Sequence, residues 1–319
     1  MVDTKIVCLG GGIGTVNLIK GLKDRFNNIS VVVSLADDGG SSGRLRRLYN
    51  VPPPGDLVSC MSALIKDNDS NLQKLLTYRF KGDRYGKDKE LGGQKLGNLI
   101  LTAMLDITGN FEQAIELFKK TFNVGGNFLP ATLEAVSISA KTIEGKIIHR
   151  EEVIDTGKYR GKRILESVFL NPPDAKANPK TIQSIMSSDV IIAGPGDLYT
   201  TILPVLIVKD ITKAIEKSMA KKIFVVNVTN KPFETRGYGV SDYIDSIKRH
   251  LGFFPFDIVM VNNNFTPKIP NDLKYKYVKE DNGNENFGSI KIVQEDLVSE
   301  DFPLYHNSQK LAKIIGENI

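Results

Sequence analysis

Short, nearly continuous apolar runs alternate along this chain with longer stretches in which apolar residues recur every three or four positions. Residues 6–9 precede a helical pattern over 16–24, and residues 29–36 run into a polar, glycine-rich stretch. Residues 190–193, 223–228 and 258–261 repeat the same short apolar run. Such β-branched runs suit strands covered on both faces. Their alternation with helices predicts an α/β fold, a Rossmann-like, mostly parallel sheet with helices on both faces. Stretches 57–66, 70–80, 96–106, 110–122 and 181–187 show 3.6-residue apolar spacing, so residues 56–123, after the second strand, are expected to be largely helical. Residues 134–141 and 146–153 flank Glu144-Gly145 and predict a β-hairpin inserted into the body.

Punctuation between these elements argues for one domain over 1–319. Pro52-Pro53-Pro54-Gly55-Asp56 is short, and Asp56 can cap the helix behind it, so it reads as a rigid loop. The polar stretch 279–288 reads as a mobile surface segment, and an amphipathic helix over 308–315 is expected to dock on the body. Composition adds exclusions. With 319 residues, 41% of them hydrophobic, the chain can bury a large core. Its 42 basic and 37 acidic residues give a net charge of +5 spread along the sequence, which argues against a nucleic-acid partner. Cys8 and Cys60 stand far apart with no zinc-like spacing, pointing to a reducing cytoplasm and no structural metal cluster. No secretory signal and no run of about eighteen apolar residues is found, so neither export nor membrane insertion is expected.

The candidate chemistry lies where the apolar runs end. Asp37-Asp38-Gly39-Gly40-Ser41-Ser42-Gly43-Arg44-Leu45-Arg46-Arg47 joins acids, glycines, hydroxyls and arginines. Backbone N–H groups of its glycines can converge on one oxyanion, Ser41 and Ser42 can add hydroxyl donors, and Arg44 and Arg46 can offer planar forks to phosphate. Asp37 and Asp38 would repel that phosphate, so they call for a ribose, a magnesium ion, or a purely local Asx-turn. Gly10-Gly11-Gly12-Ile13-Gly14-Thr15 follows the first strand and opens the first helix, a place for a phosphate at a helix N-terminus. Thr15 stands where the dinucleotide fingerprint has its third glycine or alanine, which weakens an NAD assignment.

Gly92-Gly93-Gln94-Lys95-Leu96-Gly97-Asn98 again sets glycines before a helix, with an Asn98 amide able to read a hydroxyl or base edge. Gly194-Pro195-Gly196-Asp197-Leu198-Tyr199-Thr200-Thr201 repeats the anion-site pattern after another strand. Asn227-Val228-Thr229-Asn230-Lys231-Pro232-Phe233-Glu234-Thr235 and Asn262-Asn263-Asn264 close two more. Each motif also has a plainer role as a tight turn, a cap or a solvated loop. In a parallel sheet, however, the carboxyl ends of the strands share one edge, so the loops at Gly10, Asp37, Gly194, Asn227 and Asn262 predict one large polar cleft.

Conventional catalytic groups are sparse. His149, His250 and His306 are the only histidines, and none adjoins a glycine loop in sequence. No nucleophile elbow, P-loop lysine motif or HExxH occurs. Any chemistry is expected to use positioning, arginine electrostatics and magnesium, with Asp37 or Asp38 as the acid involved.

The ordered set Gly10 to Gly14, Asp37 to Arg46, Pro53 to Asp56, Leu96 to Leu99, Leu129 to Thr132, Gly194 to Thr200 and Glu234-Thr235 resembles the YvcK-like gluconeogenesis factors. These are related in fold to the 2-phospho-L-lactate transferases of the CofD-like superfamily. The resemblance implies a cytoplasmic bacterial protein that binds a UDP-sugar, notably UDP-N-acetylglucosamine, and is linked to cell shape and growth on gluconeogenic carbon sources. Nucleotide contacts are expected from Gly10, Gly11, Gly12, Gly14, Thr15, Asp37, Asp38, Gly39, Gly40, Ser41, Ser42 and Arg44 on one side. Asn98, Gly194, Gly196, Asp197, Tyr199, Thr200, Asn227 and Thr235 are expected to supply the rest. The chain departs from the family pattern at Gln94, where a histidine is usual, and at Asn230, Lys231 and Phe233. A protein partner is expected to carry the output, with self-association left open. The enzymatic alternative is a magnesium-dependent transfer of a phosphoryl-linked group from a nucleoside diphosphate carrier. A third reading is an NAD(P)-binding protein.

Overall fold

A computed structural model of the chain describes residues 2–66, 70–279 and 287–319. Strand β1 (Val2–Leu9), helix α1 (Gly12–Leu22) and strand β2 (Phe26–Val33) form the first βαβ unit. Five helices follow: α2 (Gly40–Tyr49), α3 (Gly55–Ala63), α4 (Ser70–Thr77), α5 (Leu96–Thr108) and α6 (Phe111–Thr121). Strand β3 (Asn127–Pro130) returns the chain to the sheet. A small antiparallel sheet of order β5-β4-β6 is then built from β4 (Ser137–Thr142), β5 (Ile147–His149) and β6 (Leu165–Asn171), with α7 (Glu151–Thr156) between the last two.

The α/β alternation resumes with α8 (Pro179–Met186), β7 (Val190–Ala193), a π-helical turn over Leu198–Ile202, α9 (Leu203–Leu206), α10 (Lys209–Lys217) and β8 (Lys221–Val225). The short β9 (Thr229–Asn230) and β11 (Lys276–Tyr277) pair with each other. Helix α11 (Val240–Leu251), β10 (Ile258–Asn262), β12 (Lys291–Glu295) and α12 (Ser308–Glu317) complete the body.

Seven strands make the main sheet in the order β12-β10-β8-β7-β1-β2-β3, and every neighbouring pair is parallel. This is the expected Rossmann-like α/β architecture. Within β1, Ile6 and Cys8 enter the core beneath α1, α3 and α12, whereas Val7 and Leu9 enter the opposite core, beneath the antiparallel sheet and α11. Burial on both faces explains why the strands read as unbroken apolar runs. Successive strands leave β1 in opposite directions, β2 and β3 on one side and β7, β8, β10 and β12 on the other. The strand order therefore reverses between β1 and β7, where an open α/β sheet presents its ligand crevice.

Several sequence expectations are corrected. The stretch after β2 is not a loop through Arg47, because α2 begins at Gly40. The second half of the hairpin ends at His149 and turns helical at Glu151, and β6 adds a third strand. Asp56 is not the cap of α3: Pro54 holds that position and the cap makes no side-chain hydrogen bond. Within the surface segment 279–288, residues 280–286 lie outside the described residues. Cys8 and Cys60 are free and buried, and burial pushes the Cys8 thiol up to about 12. Among the described residues no helix is long and apolar enough to cross a membrane.

Candidate functional site

A cleft of about 570 Å³ opens at the strand-order reversal. Two turns face each other there. After β1, Gly11 has extended backbone and caps α1; after β7, the Pro195-Gly196 backbone lies so close that a Cβ on Gly14 would sit 2.4 Å from the Pro195 carbonyl oxygen. A Cβ on Gly11 would likewise meet an Asp56 carboxylate oxygen at 2.1 Å. Only glycine permits these two approaches, and they leave the α1 N-terminus bordering the cleft. The Gly196 N–H donates to the Asn227 side-chain oxygen (2.9 Å), which ties the third turn, after β8, to the second.

Of the residues expected to contact a nucleotide, the cleft wall contains Gly11, Gly12, Gly14, Asp37, Gly39, Ser41, Ser42, Asn98, Gly196, Asp197, Thr200 and Asn227. The others are used differently. Gly10 donates its N–H to Val32 O (2.9 Å) and Gly194 to Leu9 O (3.2 Å), so both lie in the sheet edge beneath the wall. The buried Thr15 hydroxyl would lie 2.7 Å from a Cβ on Gly10 and has no hydrogen-bond partner. Gly40 is covered by the Arg84 guanidinium.

Arg44 is 1% exposed, and its fork donates to Lys87 O (2.9 Å) and Gly92 O (2.6 Å); it braces two loops and is not offered to a phosphate. Arg46 is spent similarly on Leu35, Asp37 and Val136 carbonyls. The Asp38 carboxylate accepts from Glu152 N (3.1 Å) and Arg150 (3.4 Å), which removes it as a free magnesium or ribose ligand. Tyr199 is fully buried with its hydroxyl on Tyr238, and Thr235 is held by Lys231 N and Tyr243. The Asn262 side chain accepts from Leu297 N and Val298 N, so the fifth loop organises the sheet edge and stays out of the cleft.

The wall also carries groups that the sequence did not single out as ligand contacts. Asp37, Asp56 and Glu151 form an acidic cluster. Asp37 accepts from Gly39 N (2.8 Å), completing an Asx-turn. Burial raises the Glu151 carboxyl well above its usual range, and the neighbouring Asp37 charge pushes it further. Asp37 is itself raised by burial and hydrogen-bonds Glu151, so the pair shares a proton that Glu151 carries. Burial, with Asp37 beside it, moves Asp56 to about 7.

A second cluster surrounds Lys231, one of the departures from the family pattern. Its ammonium donates to Asp155, to Asp197 (2.6 Å) and to Glu234 (3.1 Å). Burial works against this charge, but the three carboxylates prevail and raise the Lys231 pKa well above its ordinary value. These acids lie close enough together to hold a metal ion, and the ammonium stands among them. Glu234 also accepts from Thr200 Oγ1 (2.7 Å) and Tyr199 N (3.0 Å).

Basic groups, Arg79, Arg84 and Lys95, also line the cleft, Lys95 within electrostatic reach of Asp56 and Arg84 of Asp37. His306, remote from every glycine loop in sequence, also lines the cleft, and burial lowers it to about 4, so it is neutral at pH 7. The other two histidines sit elsewhere, His149 on Ser139 and His250 between Ser246 O and Val168 N.

Comparison with known proteins agrees with this fold. The family model of the 2-phospho-L-lactate transferase CofD matches residues 6–298. The chain is 36% identical to the gluconeogenesis factor of Bacillus subtilis, over 98% of this chain and 96% of the relative. It is also 36% identical to that of Halalkalibacterium halodurans, over 99% and 97%. A crystal structure of a UPF0052-family protein from Bacillus halodurans superposes with a TM-score of 0.87 at 33% identity, covering 99% of each chain. With a full-length match in sequence and fold, this chain belongs to the gluconeogenesis-factor family, within the wider group that shares the CofD fold.

Proposed function

We propose that the cleft binds a sugar nucleotide, UDP-N-acetylglucosamine or a related UDP-sugar, and that the protein is a cytoplasmic regulator acting through a protein partner. This reading joins binding to cell shape and growth on gluconeogenic carbon sources, the roles implied by the resemblance. The observation that carries it is the meeting of the Gly11 to Gly14 and Pro195-Gly196 turns at the strand-order reversal, where backbone N–H groups and the α1 N-terminus border a cleft of about 570 Å³. Ser41, Ser42, Thr200 and Asn227 supply hydroxyl and amide groups around it, suited to ribose, sugar and uracil edges. Calorimetric titration with UDP-N-acetylglucosamine tests the reading: saturable one-to-one heat is expected, and heat equal to that of buffer alone would sink it.

One observation favours a second reading, CofD-like transfer of a phosphoryl-linked group. Three partly buried carboxyls, Asp37, Asp56 and Glu151, lie close together in the cleft; Glu151 carries the proton it shares with Asp37, and Asp56 is raised to about 7, so a cation there would displace protons. Among the described residues the three acids close enough together for one ion are Asp155, Asp197 and Glu234, so a magnesium ion at the Asp37 wall would have to be held jointly with the phosphate whose charge it would neutralise. Asp38 does not take part, being held by Arg150 and Glu152. Magnesium-dependent consumption of a UDP- or GDP-linked donor, lost in Asp56→Asn, is the outcome this reading requires.

A further inference from the structure

The cleft also holds cations that no carboxylate of the protein contacts, although Asp56 acts on Lys95 and Asp37 on Arg84 from further off. Arg79 donates to the Ser41 hydroxyl (3.0 Å) and the Gly93 carbonyl (2.7 Å), both uncharged. Lys95 donates to the Ser59 hydroxyl (2.7 Å), also uncharged. Arg84 lies over Gly40 at the start of α2, with its guanidinium 5.0 Å from the Tyr85 ring centre. Among the described residues none of the three has a carboxylate within 4.0 Å. Repulsion among the cations is visible in Arg79 and Lys95. Burial, then Arg79, lowers Lys95 to about 8, and burial, then Arg84 and Arg44, lowers Arg79.

At the start of α5, three residues after Lys95, stands an amide with nothing to bind. Asn98 is 0% exposed and lines the cleft, yet neither its oxygen nor its nitrogen has a hydrogen-bond partner. A buried amide left so carries its full desolvation cost, which a ligand removes. Cleft-lining cations that no carboxylate contacts, beside a fully buried and orphaned amide, describe a site whose missing member is an anion.

We propose that Arg79, Arg84, Lys95 and Asn98 form a phosphoryl-binding site, distinct from the glycine turns. The guanidinium groups and the ammonium take phosphoryl oxygens, the Asn98 nitrogen donates to another, and the Asn98 oxygen accepts from a P–OH or a neighbouring hydroxyl. A carboxylate ligand has no donor for that last position, so a phosphoryl group fits better. The sugar-nucleotide reading bears only on which molecule brings the group: the nucleotide itself or a second phosphorylated compound.

Inorganic phosphate is the first probe, titrated by calorimetry into the full chain, with UDP-N-acetylglucosamine titrated in parallel. The site predicts that Lys95→Met and Asn98→Leu each weaken the affinity of whichever probe occupies it at least about tenfold, equal to about 1.4 kcal/mol. Lys95→Arg should retain most of it, and Lys180→Met, an exposed control, all of it. Lys95→Met should melt no lower than the parent, since it deletes a half-buried charge that no carboxylate contacts, and this separates lost binding from lost folding.

If the nucleotide displaces phosphate, the phosphoryl group is its own; if both bind together, it belongs to a second molecule. Phosphate binding without nucleotide binding would keep this site and end the sugar-nucleotide reading. The proposal is overturned if neither probe binds, or if the folded Lys95→Met and Asn98→Leu variants bind both probes as the parent does.

Discussion

Two lysines line one cleft and meet opposite treatment. Lys231 is enclosed by Asp155, Asp197 and Glu234, whereas Lys95 touches only the Ser59 hydroxyl among its hydrogen-bond partners. The same side chain is fixed by its own protein in one place and left wanting a counter-ion in the other. Burial penalises the charge in both, yet the Lys231 pKa rises and the Lys95 pKa falls. The difference separates a cation that holds the site together from one that awaits a ligand.

Breaking the enclosed side should have the largest effect. Lys231→Met strands three carboxyls around a buried gap, and loss of one partner from a buried ionic cluster costs about 3–5 kcal/mol, measurable by urea denaturation. Lys231→Gln should open the three-acid cage to an added divalent cation. Calcium is then expected to raise the melting temperature of that variant and leave the parent unchanged.

Between the two poles lies Asp56, raised from 3.8 to about 7 by burial and Asp37. A carboxyl with a raised folded-state pKa contributes stability that is complete below its unfolded value and lost as pH rises through the folded one. Parent stability should therefore decline between about pH 4 and pH 8 by up to about 1.4 kcal/mol per unit of that shift, and Asp56→Asn should flatten the decline. Denaturation curves across that range check it, and an equal slope in both proteins would contradict the buried, protonated state.

The turns that join the poles come next. Gly14→Ala places a Cβ 2.4 Å from the Pro195 carbonyl oxygen, so the two turns must separate. Overpacking of this kind costs about 1–3 kcal/mol, with nucleotide affinity reduced at least tenfold, about 1.4 kcal/mol. The smallest effect is expected outside the cleft. Arg47 and Asp88 form an exposed ion pair at 2.8 Å, and Arg47→Met should change stability by less than about 1 kcal/mol.

The sheet was legible because β-branched runs such as residues 190–193 and 258–261 are buried on both faces, a local property that sequence displays. Helix α2 was not. Gly40-Ser41-Ser42-Gly43 has poor helix propensity, and the helix is held by remote ties of Arg44 to Lys87 and Gly92 and of Arg46 to Val136. The same distances explain why Arg44 reads as a phosphate ligand in sequence and proves to be a brace. The glycine turns announced the cleft, but its charge pattern is assembled from separate elements. Asp155 follows β5, Asp197 follows β7, and Glu234 follows β9. Only the three-residue spacing of Lys231 and Glu234 was a local hint of that cluster. Arg79, Arg84 and Lys95 carry no pattern at all, since their meaning lies in the lack of a contacting carboxylate among the described residues.

The central claim is that the cleft between β1 and β7 is a sugar-nucleotide site, and calorimetry of UDP-N-acetylglucosamine on the parent and Gly14→Ala tests it most directly. The account predicts saturable one-to-one binding to the parent, at least tenfold weaker in Gly14→Ala, about 1.4 kcal/mol. Absence of heat with the parent, or undiminished affinity in the variant, would contradict it.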